Sequence, residues 1–119
     1  MYYKRVTEYG ITFNDDERTI NRKYAVIMGE IAIFNGSEEV KVPSYGIEIT
    51  EHITKGSEKI EKSEFVPNIS PYFEKVDEIA RYFKKMDVSP LHLNEIIDEM
   101  YYEYIEDFDK ISKISRIAI

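Results

Sequence analysis

The hydrophobic period of this chain changes once, close to residue 70. Before it, apolar residues alternate or run unbroken, the pattern of strands. After it, they recur three and four apart, the pattern of helices. The first part therefore builds a sheet, and the second covers one face of it. Strands followed by helices argue for an α+β fold. The expectation is an antiparallel sheet of about four strands followed by two C-terminal helices packed on one face. At 119 residues the chain makes one domain. Within it, 1–69 would be an antiparallel β-meander, 70–108 two helices and 109–119 a basic tail.

The first strand reads from YYKRVTEYGITF (2–13), rich in aromatic and β-branched residues, and ends in the polar cluster NDDERT (14–19). NRKYAVIMGEIAIF (21–34) is apolar on both alternating faces. One face carries Tyr24, Val26, Met28, Ala32 and Phe34; the other carries Ala25, Ile27, Ile31 and Ile33. That is a central strand partly buried on both sides, with Gly29 as a bulge or kink. Asn35-Gly36 is a strong hairpin dipeptide. The next strand, 38–53, places Tyr45, Ile47, Ile49 and Ile53 on one face and Ser44, Gly46, Glu48, Thr50 and His52 on the other. Pro43 cannot donate to a ladder and marks an edge, a bulge or a break. After Lys55-Gly56-Ser57, the charged stretch 59–68 reads as an outer strand.

SPYFEKVDEIARYFKKM (70–86) then stacks Tyr72, Phe73, Val76, Ile79, Ala80, Phe83 and Met86 into one stripe. Ser70 suits an N-cap and Pro71 the first helical position. Acids sit early and bases late, which suits the helix dipole. Ser89-Pro90 repeats the same start, and a second helix from 90 to about 108 carries Leu93, Ile96, Ile97, Met100, Tyr104 and Phe108. The tail sets Ile111, Ile114 and Ile117 three apart with Lys110, Lys113 and Arg116 between them, a pattern that fits either a continuation of the second helix or a final strand.

Composition excludes several functions. With no cysteine there are no disulfides, thiolate metal sites or thiol nucleophiles, and a cytoplasmic setting is expected. Nothing reads as a leader or a membrane span. A net charge of −7 argues against direct nucleic-acid binding, which needs clustered Lys and Arg. Isoleucine occurs 18 times and leucine twice, a ratio that core packing does not require and that reflects an A+T-rich source. No G-x-S-x-G, G-x-G-x-x-G or P-loop is present, and Ser44, Ser57, Ser70 and Ser89 are read in turns or caps. The reading is non-enzymatic, with no cofactor.

Three stretches taken together, SYGIEI (44–49), VPNISPYFEKVDEI (66–79) and VSPLHLNEIIDEM (88–100), resemble a family of small bacterial proteins of unknown function. Tyr45, Gly46, Ile47, Ile69, Ser70, Pro90, His92, Leu93 and Asp98 carry the resemblance, over roughly residues 40–105. The N-terminal hairpin and the basic tail lie outside it. The resemblance implies no activity.

The stretch from Asp87 to Asp109 holds eight acidic groups and no lysine or arginine. On the second helix, Glu95, Asp98, Glu99, Tyr101, Tyr102 and Glu103 form a candidate interaction face, since surface tyrosine buries area at low entropic cost. The plainer reading is a solvated helix face. The expected partner is an unidentified protein or a second copy, with the basic tail lying on the acidic helix. His92 with Glu95 and Glu99 is the alternative, a metal or small-ligand sensor that also uses the sheet face near Gly46. Against it, His92 packs its ring at the helix–sheet junction, and Gly46 makes room for Tyr72, Phe73 or His92. A carboxylate pair for hydrolysis needs a cleft that a helix surface does not offer. A third class is an acidic decoy for a basic nucleic-acid-binding protein.

Overall fold

The computed structural model describes residues 3–34, 36–99, 107, 108 and 110. Strands β1 (Lys4–Asp15), β2 (Arg18–Phe34), β3 (Glu39–Lys55) and β4 (Glu58–Ser70) form one antiparallel meander in the order β1-β2-β3-β4. Helix α1 (Phe73–Lys85), a 3₁₀ turn (Pro90–His92) and helix α2 (Leu93–Glu99) follow, and Asp107, Phe108 and Lys110 are again helical. The α+β architecture is the one the order of periods requires.

Register decides which side chains share a face. Tyr9 pairs with Tyr24, Tyr24 with Ile49, Val26 with Ile47, and Ile47 with Val66. This face meets the helices. Tyr24, Val26, Ile47, Ile49 and Ile69 pack with Val76, Ile79, Ala80, Phe83, Val88, Leu93 and Ile97 in one buried core. Each Val, Ile, Leu or Phe among them contributes roughly 1.5–3 kcal/mol on burial. Tyr72 and Met86, placed at the ends of the helical stripe, lie exposed because they flank α1 rather than belong to it.

Several local expectations are corrected. Ser70 is the last residue of β4, paired with Tyr45, and does not cap α1. Tyr72 occupies the N-cap without a side-chain bond, while the Tyr72 amide donates to Ser70 Oγ at 3.2 Å. Sheet pairing here overrides the Ser-Pro capping rule. Ser89 does stand at the N-cap of the 3₁₀ turn with Pro90 at its start, as expected. Gly29 makes no bulge: β2 and β3 pair without a break through Gly29 and Ser44. The irregularities fall at Val6 in β1 and at 67–69 in β4. The β2–β3 pairing ends at Phe34 and Glu39, so the connection runs over 35–38 rather than closing on two residues; Asn35 lies outside the described residues. Pro43 sits where β4 no longer pairs, so β3 is itself an edge there.

α1 ends in a Schellman motif. The Val88 amide donates to Phe83 O at 3.0 Å and the Asp87 amide to Lys84 O at 3.2 Å. Asp87 takes the left-handed position, φ 57°, usually given to glycine.

Candidate functional site

Two Arg–Glu pairs organise the two faces of the sheet. On the covered face, Arg22 Nε donates to Glu51 Oε2 at 2.7 Å and Arg22 Nη2 approaches the same oxygen at 2.6 Å. Nη1 donates to Asp87 Oδ1 at 2.6 Å and to Asp87 O at 3.0 Å. The Phe13 ring lies 5.3 Å from the guanidinium. Burial works against the Arg22 charge, yet the Tyr24 oxygen and Glu51 outweigh it and its pKa is raised. Tyr24 donates its hydroxyl to Val88 O at 2.8 Å. These bonds fasten the turn after α1 to the middle of β2. That explains why Asp87, and not glycine, holds the left-handed position. At the other end of α1, Lys75 Nζ contacts Asp107 Oδ2 at 2.6 Å and Ser70 Oγ donates to the same oxygen at 3.2 Å. On these bonds this cluster is structural.

The opposite face of the sheet is different. Lys23, Ala25 and Ile27 of β2, Glu48, Thr50 and His52 of β3, and Phe65 of β4 point away from the helices. Ala25 and Ile27 are nevertheless only 2% and 4% exposed. Side chains from the outer strands shield them. The Tyr3 and Phe65 rings meet with centroids 5.9 Å apart, tilted by 55°. Arg5 Nε donates to Glu48 Oε1 at 2.7 Å, and Nη2 approaches the same oxygen at 2.7 Å. That bond raises the Arg5 pKa. Tyr3, Arg5, Ile27, Glu48 and Phe65 thereby line an open groove of about 500 Å³. A polar extension of about 160 Å³ runs on past Arg5 and Glu48 toward Thr50, His52 and Glu61.

Gly46, on this same face, is structural. A Cβ there would lie 2.7 Å from Pro67 Cα and against Val66 O. The bulge of β4 therefore occupies the space, not the ring of Tyr72, Phe73 or His92.

His92 does not pack at the helix–sheet junction; its side chain, like those of Glu95, Asp98 and Glu99, is exposed. His92 Nδ1 lies 3.7 Å from Glu95 Oε2, both side chains largely in water. Among the described residues, no group of three or more His, Cys, Asp or Glu side chains is placed to hold a metal. Tyr101, Tyr102 and Glu103 lie outside the described residues, as does the tail apart from Lys110. The open-face groove was not singled out from sequence, although the second apolar face of 21–34 was its signal.

A family model described as a family of unknown function, DUF6514, matches residues 3–103. The chain belongs to the DUF6514 family. The match takes in the N-terminal hairpin as well as the motifs between 44 and 100, and every residue of the DUF6514 groove falls within it. Neither the curated proteins nor the solved structures contain a significant match to this DUF6514 chain. Among the described residues, no helix is long and apolar enough to cross a membrane.

Proposed function

We propose that this DUF6514 protein is a non-enzymatic recognition module of the bacterial cytoplasm, and that its working surface is the open face of the sheet. One observation carries the reading. Ala25 and Ile27 form a dry floor on the side that no described helix covers, under walls built by an aromatic pair and an ion pair. Binding sites combine apolar lining with a few placed polar groups in this way. A net charge of −7 and the absence of cysteine support a cytoplasmic partner other than nucleic acid.

The acidic surface of α2 gives a second reading, as a contact for a protein partner or a second copy. It is favoured by Leu91, which is 80% exposed beside His92 and Glu95.

Nuclear magnetic resonance separates the two. The isotopically labelled full chain is titrated with mixtures of metabolites and short peptides. Amide shifts centred on Ala25, Ile27, Glu48 and Thr50 are expected. Shifts confined to 91–99, or none at millimolar concentration, would overturn the open-face reading.

A further inference from the structure

The β2–β3 hairpin outruns its neighbours. β1 pairs with β2 no further than Met28, and β4 pairs with β3 no further than Tyr45. Past those points 29–34 and 39–44 continue as a two-stranded arm, with Ile31 opposite Val42 and Ile33 opposite Val40. None of these residues lines the open-face groove. Two strands alone are marginal in water.

The two edges of the arm differ. Its ladder runs without a break through Glu30 and Pro43. Proline has no N–H to give that ladder, so this pair turns its backbone groups outward. By alternation Glu39, Lys41 and Pro43 present their backbone on the β3 edge, and Glu30, Ala32 and Phe34 on the β2 edge. A proline and two charged side chains blunt the β3 edge. The outer edges of the main sheet are blunted too, β4 by the charges of 58–64 and β1 by the irregularity at Val6. The β2 edge of the arm has no such device beyond the charge of Glu30. Among the described residues no strand pairs with it. Ala32 there is exposed, and Phe34 is 71% exposed.

We propose that this edge pairs with the same edge of a second copy, antiparallel about a two-fold axis at Ala32. In that register Ala32 meets Ala32, Glu30 meets Phe34 and Ile31 meets Ile33. The outward residues then form hydrogen-bonded pairs, each exchanging two N–H···O bonds. No like charges stand opposite each other. The edge is thus complementary to itself, as a two-fold contact requires. Two marginal arms become one four-stranded sheet, and their Ile31 and Ile33 rows join side by side. An extended peptide would supply the backbone bonds without that second apolar row; a second copy supplies both.

Hydrogen exchange on the labelled full chain reads the edge residue by residue. The Ile31 and Ile33 amides, bonded within the arm, should be protected at every concentration. Those of Glu30, Ala32 and Phe34 should gain protection only between micromolar and millimolar chain, in step with dimer formation followed by sedimentation. Ala32→Pro removes the axial amide from both copies, while the arm keeps its own ladder as it does at Pro43, and should weaken the dimer at least about tenfold. Lys41→Pro makes the same change on the β3 edge and should leave the dimer unaltered. Ala32→Lys keeps the amide but sets two lysines face to face, and should weaken it about fivefold. A chain that stays monomeric at millimolar concentration overturns the proposal, as does a dimer that Ala32→Pro and Ala32→Lys leave intact. Protection of Glu30, Ala32 and Phe34 in the monomer also overturns it, since the chain's own backbone then fills the edge.

Discussion

Glu48 and Glu51 lie three residues apart on β3, and each holds an arginine. Strand geometry sends them to opposite faces. The Arg22–Glu51 side chains are 9% and 8% exposed; those of Arg5–Glu48 are 59% and 20% exposed. The same two residue types therefore make a fastening on one side and an accessible rim on the other. Under the helices the ions are desolvated, so each requires its partner, and Asp87 completes the set. On the open side water screens the pair, which contributes little to folding and is available to a ligand.

The sharpest way to break the comparison is to remove one carboxylate at a time. Glu51→Ala should cost roughly 3–5 kcal/mol, because it leaves a buried guanidinium uncompensated. Denaturant unfolding measures this, and a loss below about 1 kcal/mol would show that the covered pair is no more structural than the open one. Gly46→Ala comes next. It pushes a methyl group into the β4 backbone and should cost about 1–3 kcal/mol. An unchanged melting temperature would place the bulge elsewhere. Tyr24→Phe should cost roughly 1–3 kcal/mol by stranding the buried Val88 carbonyl.

Alkaline pH sharpens the contrast more gently. Tyr9 is held above the ordinary tyrosine value of 10.0 by its hydrogen bond to Asp77, and Tyr24 by burial. The folded chain keeps these protons where the unfolded chain has lost them. Their stabilisation is thus fully present below pH 10.0 and is lost as pH rises through the folded-state values. Unfolding midpoints taken across this range should fall, and fall less in Tyr9→Phe and Tyr24→Phe. The smallest effect belongs to Glu48→Ala, at most about 1 kcal/mol. A larger loss would mean that the open-face pair is a folding element after all.

The two faces also differ in how readable they were from sequence. The covered face follows from alternation and helical stripes: strand period puts Tyr45, Ile47 and Ile49 on one side, and helical period puts Val76, Ile79 and Phe83 in one stripe. The open face needs register. Arg5, Ile27, Glu48 and Phe65 come from four strands, and no local pattern links them; only pairing places them side by side. The clue lay in 21–34, whose second apolar face had no helix to meet. Ser70 was misassigned for a related reason, since the local Ser-Pro signal favours a cap while a distant strand, through Tyr45, claims the residue. The Arg22 network was likewise hidden, its partners Glu51 and Asp87 being distant in sequence.

The seat of Gly46 beneath Val66 and Pro67 has a consequence for fidelity of assembly. β4 is built largely of alternating charges, Glu58 through Glu64, which could match β3 equally well after sliding two positions along it. Such a slide keeps every side chain on its proper side, so amphipathic patterning alone does not forbid it. It would, however, bring Ser44 or Glu48 under the Pro67 arch, where only hydrogen fits. A missing side chain thus acts as a detent, clicking the outermost strand into one alignment among several that charge and hydrophobicity leave nearly equal.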